Sequence, residues 1–204
     1  FVLIVCLGLV HRQFHSTRED KSTGSRFRGL SRKKSDFRVN FNGQVTGNFS
    51  ADACGDQGAL VPYKLGSGSF PLCVHRHSEM ISDRVRAQGV WDDCEDLCWF
   101  IWNEFGGGPG RESRQVPSLF IVDIGANIGT CSISLALLGH QLLSFEPIHV
   151  NLDLLMRSVK LNNLSSLVTV VAAGIADNEG TTSAFVERGN AGNAVLLPPA
   201  VPPP

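Results

Sequence analysis

After Pro117, short apolar runs alternate along the chain with longer amphipathic stretches. Residues 119–123 form a continuous apolar run that ends in an acid, which is typical of a buried strand in a parallel sheet. The same periodicity predicts further strands at 141–145, 168–172, 182–186 and 190–197, and helices at 130–138 and 150–161. This order predicts an α/β fold whose parallel sheet is built by residues 117–197.

Residues 51–116 are predicted to form helices and loops that lead into this sheet. Residues 79–89 have helical spacing and end at Gly89, which suits a glycine C-cap. Residues 91–105 carry an apolar stripe behind an acidic first turn, which also favours a helix. Two prolines and several glycines in residues 51–72 indicate loops with one short strand. Residues 72–74 have the composition of a strand, and the glycines of residues 106–110 predict a flexible joint.

The first ten residues are all apolar or glycine. A run of this length is too short to span a bilayer, but it fits the apolar region of a signal peptide or a truncated membrane anchor. The alternative is a buried strand. We expect residues 1–10 to be a signal or anchor segment, which implies membrane association and a membrane-anchored or secretory location, with a cytoplasmic location as the alternative.

The net charge of −1 over 204 residues conceals an uneven distribution. Residues 11–38 carry nine Lys or Arg and three acids, so this segment has a charge of +6 and the remainder −7. Since residues 11–50 lack helical periodicity, we expect a disordered basic linker without nucleic-acid binding. Residues 198–204 form a Pro-rich tail. The 43% hydrophobic content excludes a wholly disordered chain.

Six cysteines are scattered along the chain, at positions 6, 54, 73, 94, 98 and 131. Cys94 and Cys98 share a helix face and are candidates for two metal ligands, but no second pair stands at zinc-site spacing, so no metal site is predicted. In a lumenal chain a Cys54–Cys73 bridge is one option, which the sequence leaves open. Asn48 and Asn163 each begin a glycosylation sequon.

Six residues at one edge of the predicted sheet are candidates for binding a ligand, because ligands of open parallel sheets lie beyond the carboxyl ends of the strands. Gly125 and Gly129 allow the backbone to approach a ligand closely, and the helix that begins after Gly129 directs free N–H groups to this edge. Glu146, which ends the next strand, can accept both hydroxyls of a ribose. The candidates are Asp123, Gly125, Ala126, Asn127, Gly129 and Glu146.

The charge of this edge distinguishes two classes of cofactor. The dinucleotide motif G-x-G-x-x-G requires a glycine where this chain has Asn127. Asp123 would repel a diphosphate, whereas it would attract the ammonium and sulfonium groups of S-adenosylmethionine. The sequence therefore favours S-adenosylmethionine over NAD. The remaining alternative is that these residues only shape a turn of an α/β scaffold.

Several segments resemble the FkbM-type methyltransferases, a class I family with a Rossmann-like fold. The segments are VDIGANIGT at 122–130, FEP at 145–147, LNNL at 161–164, VVAAGIADNEG at 170–180, NAGN at 190–193 and the lead-in stretch 79–95. The resemblance covers residues 73–197 and is strongest over 119–180.

The resemblance implies S-adenosylmethionine-dependent O-methylation of a sugar or small-molecule hydroxyl, so the expected partner is a small-molecule or glycan acceptor. It places Asp123 at the methionine end of the cofactor, the loop 125–129 around it, Glu146 at the ribose and residues 173–177 near the adenine. The hydroxyl oxygen would attack the sulfonium methyl in line, and positioning would contribute most of the rate. His149 is the nearest titratable side chain but is more typical of an exposed helix start, so no catalytic base is assigned.

The chain departs from the family in one respect. Class I methyltransferases have seven strands, and the later strand of the family that ends in Asp-x-Glu-Gly has no counterpart after residue 180 of this sequence. We therefore expect an incomplete parallel sheet and a fragment of the enzyme. Two alternatives stay open: a non-catalytic, membrane-tethered Rossmann-like binding module, and an NAD-type oxidoreductase.

Overall fold

The computed structural model describes residues 2–6, 49–50, 52–107, 117–181, 183–187 and 190–196. The strands are β1 (Val2–Cys6), β2 (Gly58–Leu65), β3 (Gly68–His75), β4 (Phe120–Ile124), β5 (Gln141–Phe145), β6 (Val168–Val171), β7 (Ala184–Glu187) and β8 (Asn190–Leu196). The helices are α1 (Met80–Gln88), α2 (Asp92–Ile101), α3 (Thr130–Leu137) and α4 (His149–Leu161), and a π-helical segment, Trp102–Gly107, follows α2.

A parallel sheet with the order β1-β4-β5-β6 lies at the centre of the described chain. The strands alternate in burial: Ile121, Asp123, Leu142 and Ser144 are buried, while their neighbours along each strand are partly or fully exposed. Right-handed crossovers place α3 and α4 on the same face, and the hydrogen bond from Ser132 of α3 to Asp123 shows that this is the buried face. The predicted α/β fold with an incomplete parallel sheet is consistent with this architecture.

The prediction for the strand at 182–186 was wrong in one respect. A strand forms at Ala184–Glu187, but it pairs antiparallel with β8 in a separate two-stranded sheet instead of extending the parallel one. A parallel connection requires a crossover, usually a helix. Only residues 188 and 189 separate β7 from β8, a spacing that suits a hairpin, whereas no helix is described between β6 and β7.

The apolar N-terminal residues include an edge strand in the structure. Val2–Cys6 forms a strand that pairs parallel with β4. A strand at this position was the alternative to the predicted signal or anchor segment. Among the described residues no helix is long and apolar enough to cross a membrane. The basic linker (apart from residues 49–50), most of the flexible joint and the Pro-rich tail lie outside the described residues.

A β-hairpin replaces most of the loops predicted for residues 51–72. β2 and β3 pair antiparallel over their full length around a two-residue turn, Gly66-Ser67, in which Gly66 has a φ of +59°. Pro62 and Pro71 stand directly opposite each other. At a non-hydrogen-bonded pair neither proline would need an N–H group, so the prolines that indicated a loop are compatible with both strands.

The outer edge of β3 is covered by polar contacts with α4 and α1. The Cys73 backbone N–H donates to Ser158 Oγ at 2.9 Å, and the Asn162 amide donates to the Pro71 carbonyl at 2.8 Å. The His75 backbone N–H donates to Ser82 Oγ at 3.1 Å. These bonds satisfy an edge that would otherwise be free to pair with another chain. The hairpin is therefore anchored to the helix that follows β5.

The two helices of the lead-in confirm the predicted C-cap at Gly89 and the apolar stripe, and the structure adds an N-cap at Glu79. The buried Glu79 carboxylate accepts hydrogen bonds from the N–H groups of Ile81 and Ser82, and α1 ends at Gly89 with a φ of +77°. α2 begins with the predicted acids and buries Cys94, Cys98 and Ile101. Both helices thus present an apolar face to the core.

Two disulfides involve cysteines of the lead-in, residues 51–116. Cys54–Cys73 is the bridge that the sequence left open, and Cys94–Cys131 joins α2 to the first turn of α3. Cys98 is a free, buried thiol, and burial raises its pKa to about 12. The structure thus places Cys94 in a disulfide and not in a metal-ligand pair with Cys98.

The hairpin anchor leads to a stability prediction. Ser158→Ala leaves the buried Cys73 N–H without its acceptor, which costs about 1–3 kcal/mol of unfolding free energy. Ser166→Ala is the matched control: Ser166 is exposed, and the expected change is within about 0.5 kcal/mol. Urea unfolding of the oxidised protein measures both. Equal midpoints for the two variants would contradict the proposed anchor.

Candidate functional site

The loop after β4 is fixed to the end of β5 by backbone hydrogen bonds. The N–H groups of Gly125 and Ala126 both donate to the Phe145 carbonyl, at 2.9 and 3.0 Å. β4 and β5 are parallel and end in register at Ile124 and Phe145, so their carboxyl ends lie at the same edge. The loop 125–129 and Glu146 are therefore neighbours, as the sequence predicted.

Glu146 connects the loop to the start of α4. Its Oε2 accepts from the Asn127 N–H at 2.8 Å, and its Oε1 accepts from the Ile148 N–H at 2.9 Å and from the Asn151 amide at 3.3 Å. Burial raises the pKa of this carboxyl, and the three donors oppose the rise. A carboxylate has about four acceptor positions, so Glu146 retains about one for a further donor, on Oε2.

Asp123 is the second buried carboxylate of this edge. Its Oδ2 accepts from Ser132 Oγ at 2.6 Å, and Ser132 Oγ lies 2.7 Å from Ser144 Oγ. Because Ser132 has a single O–H proton and directs it to Asp123, Ser144 must be the donor to Ser132. Asp123 Oδ1 is buried and has no hydrogen-bond partner among the described residues.

The pKa of Asp123 is raised to about 6, first because burial disfavours its charged form and to a smaller extent because Glu146 is nearby. The bond from Ser132 partly offsets this rise. An unpartnered oxygen on a buried carboxylate is costly unless another group completes it. A cationic or hydrogen-bond-donating group that reached Oδ1 would remove this penalty.

Three residues of the loop have positive φ, but they serve different purposes. A Cβ at Gly125 would meet no atom within 4 Å, so this glycine borders open space. A Cβ at Gly129 would overlap Leu155 of α4, so this glycine permits close packing of the loop on α4. Asn127 stabilises its own left-handed conformation, because its Oδ1 accepts from the Ile128 N–H at 2.6 Å. Ala126, also in the loop, is buried.

The structure brings together the loop 125–129, Asp123 and Glu146. His149 is exposed at the first position of α4, as expected of a helix-start residue. The segment after β6, residues 172–177, is irregular and mostly exposed. A cavity of about 220 Å³ opens elsewhere, between the β2–β3 turn, α2 and α3, and Tyr63, Glu95, Cys98 and Ser134 are among its lining residues.

Sequence reasoning missed the residues that hold the two carboxylates. Ser132 and Ser144 carry no motif that marks them. Asn151 donates to Glu146, and its Oδ1 lies 2.7 Å from His75 Nε2 of the β2–β3 hairpin. The short separation of Glu146 from Asn151, which lies in the first turn of α4, could have indicated the first contact, whereas the second depends on how the hairpin packs against α4.

About half of the chain is similar to a curated methyltransferase. It is 37% identical over 102 residues to methyltransferase sdnD of Sordaria araneosa, and the match covers 48% of this chain and 39% of that protein. No protein-family model and no solved structure matches the chain. The similarity supports a methyltransferase, and it favours neither the binding module nor the oxidoreductase. The three parallel strands β4–β6 are consistent with a Rossmann-like fold.

The different surroundings of the two glycines predict different costs of substitution. Gly129→Ala adds a methyl group that collides with Leu155 at an unfavourable φ of +87°, so we expect a loss of about 2–5 kcal/mol. Gly125→Ala has the strained φ alone, and the expected loss is about 1–2 kcal/mol. Urea unfolding distinguishes them. A Gly125 variant that is as unstable as the Gly129 variant would contradict the packing described here.

Proposed function

We propose that this chain is part of an S-adenosylmethionine-dependent methyltransferase of the FkbM type. The observation that carries the proposal is Asp123 Oδ1, a buried and unpartnered carboxylate oxygen at the edge where Gly125 borders open space. The similarity to a curated methyltransferase over about half of the chain supports the same class of enzyme. Because the match spans 39% of that protein, the activity is proposed for the whole enzyme to which this region belongs.

Each candidate residue has a role that fits this cofactor. Asp123 would attract the ammonium of the methionine part, and the backbone of 125–129 would contact the cofactor where Gly125 has no side chain. Glu146 would bind the ribose. Since its three donors leave about one acceptor position, Glu146 would take one ribose hydroxyl and not the two that the sequence suggested.

The charge of this edge is the main argument against a dinucleotide. Asp123 and Glu146 are both buried there, and each raises the energy of a second negative charge nearby. A diphosphate would add to this repulsion, whereas an ammonium relieves it. The same two carboxylates therefore disfavour NAD and favour a ligand with a positive charge.

The bound cofactor would supply an electrophilic methyl group. The chain's own contribution is to hold the ligand in a fixed orientation, through a loop pinned at Phe145 and a carboxylate fixed by three donors. The proposed acceptor is a hydroxyl of a sugar or small molecule. Membrane association through residues 1–10 remains a separate proposal, and no residue is assigned as the base.

The raised pKa of Asp123 makes ligand binding depend on pH. Below pH about 6 the carboxyl is protonated and cannot attract an ammonium, so the affinity for S-adenosylhomocysteine should fall about tenfold for each pH unit below that value. Calorimetry at pH 5.0, 6.0 and 7.5 measures the profile. Asp123→Asn should bind weakly and show a flat profile, and Glu146→Gln should bind weakly at all three values.

The stability of the protein should not follow the same trend. A carboxyl with a raised pKa contributes most stability below its unfolded pKa and loses that contribution as the pH rises through about 6. Weaker binding at acid pH therefore cannot arise from unfolding caused by Asp123. NAD is the negative control. Unchanged affinity in both variants, or tighter binding of NAD than of S-adenosylhomocysteine, would contradict the proposed function.

A further inference from the structure

Four cysteines form two buried pairs: Cys54–Cys73 lies within the lead-in, and Cys94–Cys131 joins the lead-in to the helix that follows β4. The Cα atoms of Cys54 and Cys73 are 5.4 Å apart, and those of Cys94 and Cys131 are 5.0 Å apart, distances that a disulfide requires. Structural disulfides form and persist in oxidising compartments and are rare in the cytosol. Cys131 of the second bridge lies two residues after Gly129, in the first turn of α3.

The sequon Asn163-Leu164-Ser165 occupies the turn after α4. Asn163 is exposed with a φ of +57°, and Ser165 is exposed as well. Leu164 between them is buried, and its N–H donates to the Val159 carbonyl at 3.0 Å, so the turn is held by its central residue. A large group on the Asn163 amide would extend into solvent without displacing the core.

The turn also lies far from the candidate site. α4 begins next to Glu146 and ends at Leu161, and its 13 residues span about 20 Å. Asn163 precedes β6 and therefore lies near the amino end of that strand, whereas ligands of such sheets lie at the carboxyl ends. A group attached at Asn163 would leave the ligand edge accessible.

We propose that the chain matures in the lumen of the secretory pathway, with both disulfides closed and an N-linked glycan on Asn163. The amide Nδ2 displaces the lipid diphosphate of a lipid-linked oligosaccharide: the bond from the anomeric carbon to nitrogen forms, the bond from that carbon to the diphosphate oxygen breaks, and the amide proton leaves with the diphosphate. Each disulfide forms when a pair of thiols gives two electrons and two protons to an oxidised disulfide carrier. This inference does not depend on the proposed function.

The test uses the full-length protein, expressed with its own N-terminal region in eukaryotic cells and carrying Asn48→Gln to remove the other sequon. Peptide N-glycosidase should increase its gel mobility and convert Asn163 to Asp in the peptide map. Ser165→Ala should abolish the shift, because it removes the sequon without altering the residue with positive φ. Ser165→Thr and the neighbouring Ser166→Ala should both retain it.

Alkylation of the unreduced protein provides a second, independent measurement. In denaturant, Cys54, Cys73, Cys94 and Cys131 should resist the reagent until a reductant is added, whereas Cys98 should react there without a reductant. A glycosidase shift that persists in Ser165→Ala, or no shift in the parent, would overturn the glycan site. Reaction of all four paired cysteines before reduction would overturn the lumenal assignment. Neither readout involves S-adenosylmethionine.

Discussion

The carbonyl of Phe145 and the carboxylate of Glu146, at the end of β5, hold the loop on which the candidate site depends. Three successive N–H groups, those of residues 125, 126 and 127, donate to these two residues. Without these bonds the loop would have unsatisfied donors and no fixed position relative to the sheet. The same carboxylate accepts from the start of α4, so one side chain sets the loop, the strand end and the helix. The rest of the candidate site follows from this arrangement.

Burying two carboxylates at one edge is unfavourable, and the chain offsets the penalty unequally. Glu146 is compensated by three donors and serves as a structural element of the loop. Asp123 receives one serine proton and keeps an oxygen without a partner. This asymmetry distinguishes a carboxylate whose hydrogen bonds hold the loop from a carboxylate with an unsatisfied oxygen. The sequence motif alone does not distinguish the two acids, because it shows that both stand at strand ends but not which hydrogen bonds each one accepts.

Local periodicity was sufficient to predict the elements around the site. The bounds of β5 agree with the prediction, and those of β4, α3 and α4 differ by one residue at most at each end. The β2–β3 hairpin could not be read in the same way, because Pro62 and Pro71 are compatible with strands only when they face each other, which is a property of the pairing. The strand β7 was counted in the wrong sheet for a related reason: periodicity identifies a strand but not the sheet to which it belongs.

The polar residues around the carboxylates were unpredictable for a physical reason. Ser132, Ser144 and Asn151 act through contacts between elements that are distant along the chain, and their residue types occur widely on helices and strands. His75 reaches Asn151 only because the hairpin packs against α4. The functional prediction therefore rested on the residues whose roles are local, namely the loop 125–129 and the two acids at the strand ends.

The most direct test of the central claim is amide hydrogen exchange with and without S-adenosylhomocysteine. If the edge formed by the loop and Glu146 binds the ligand, protection should increase in peptides that cover residues 123–129 and 145–148, while the turn at 163–166 stays unchanged. Protection confined to the cavity near Tyr63 and Ser134, or no protection at any saturating concentration, would contradict the account.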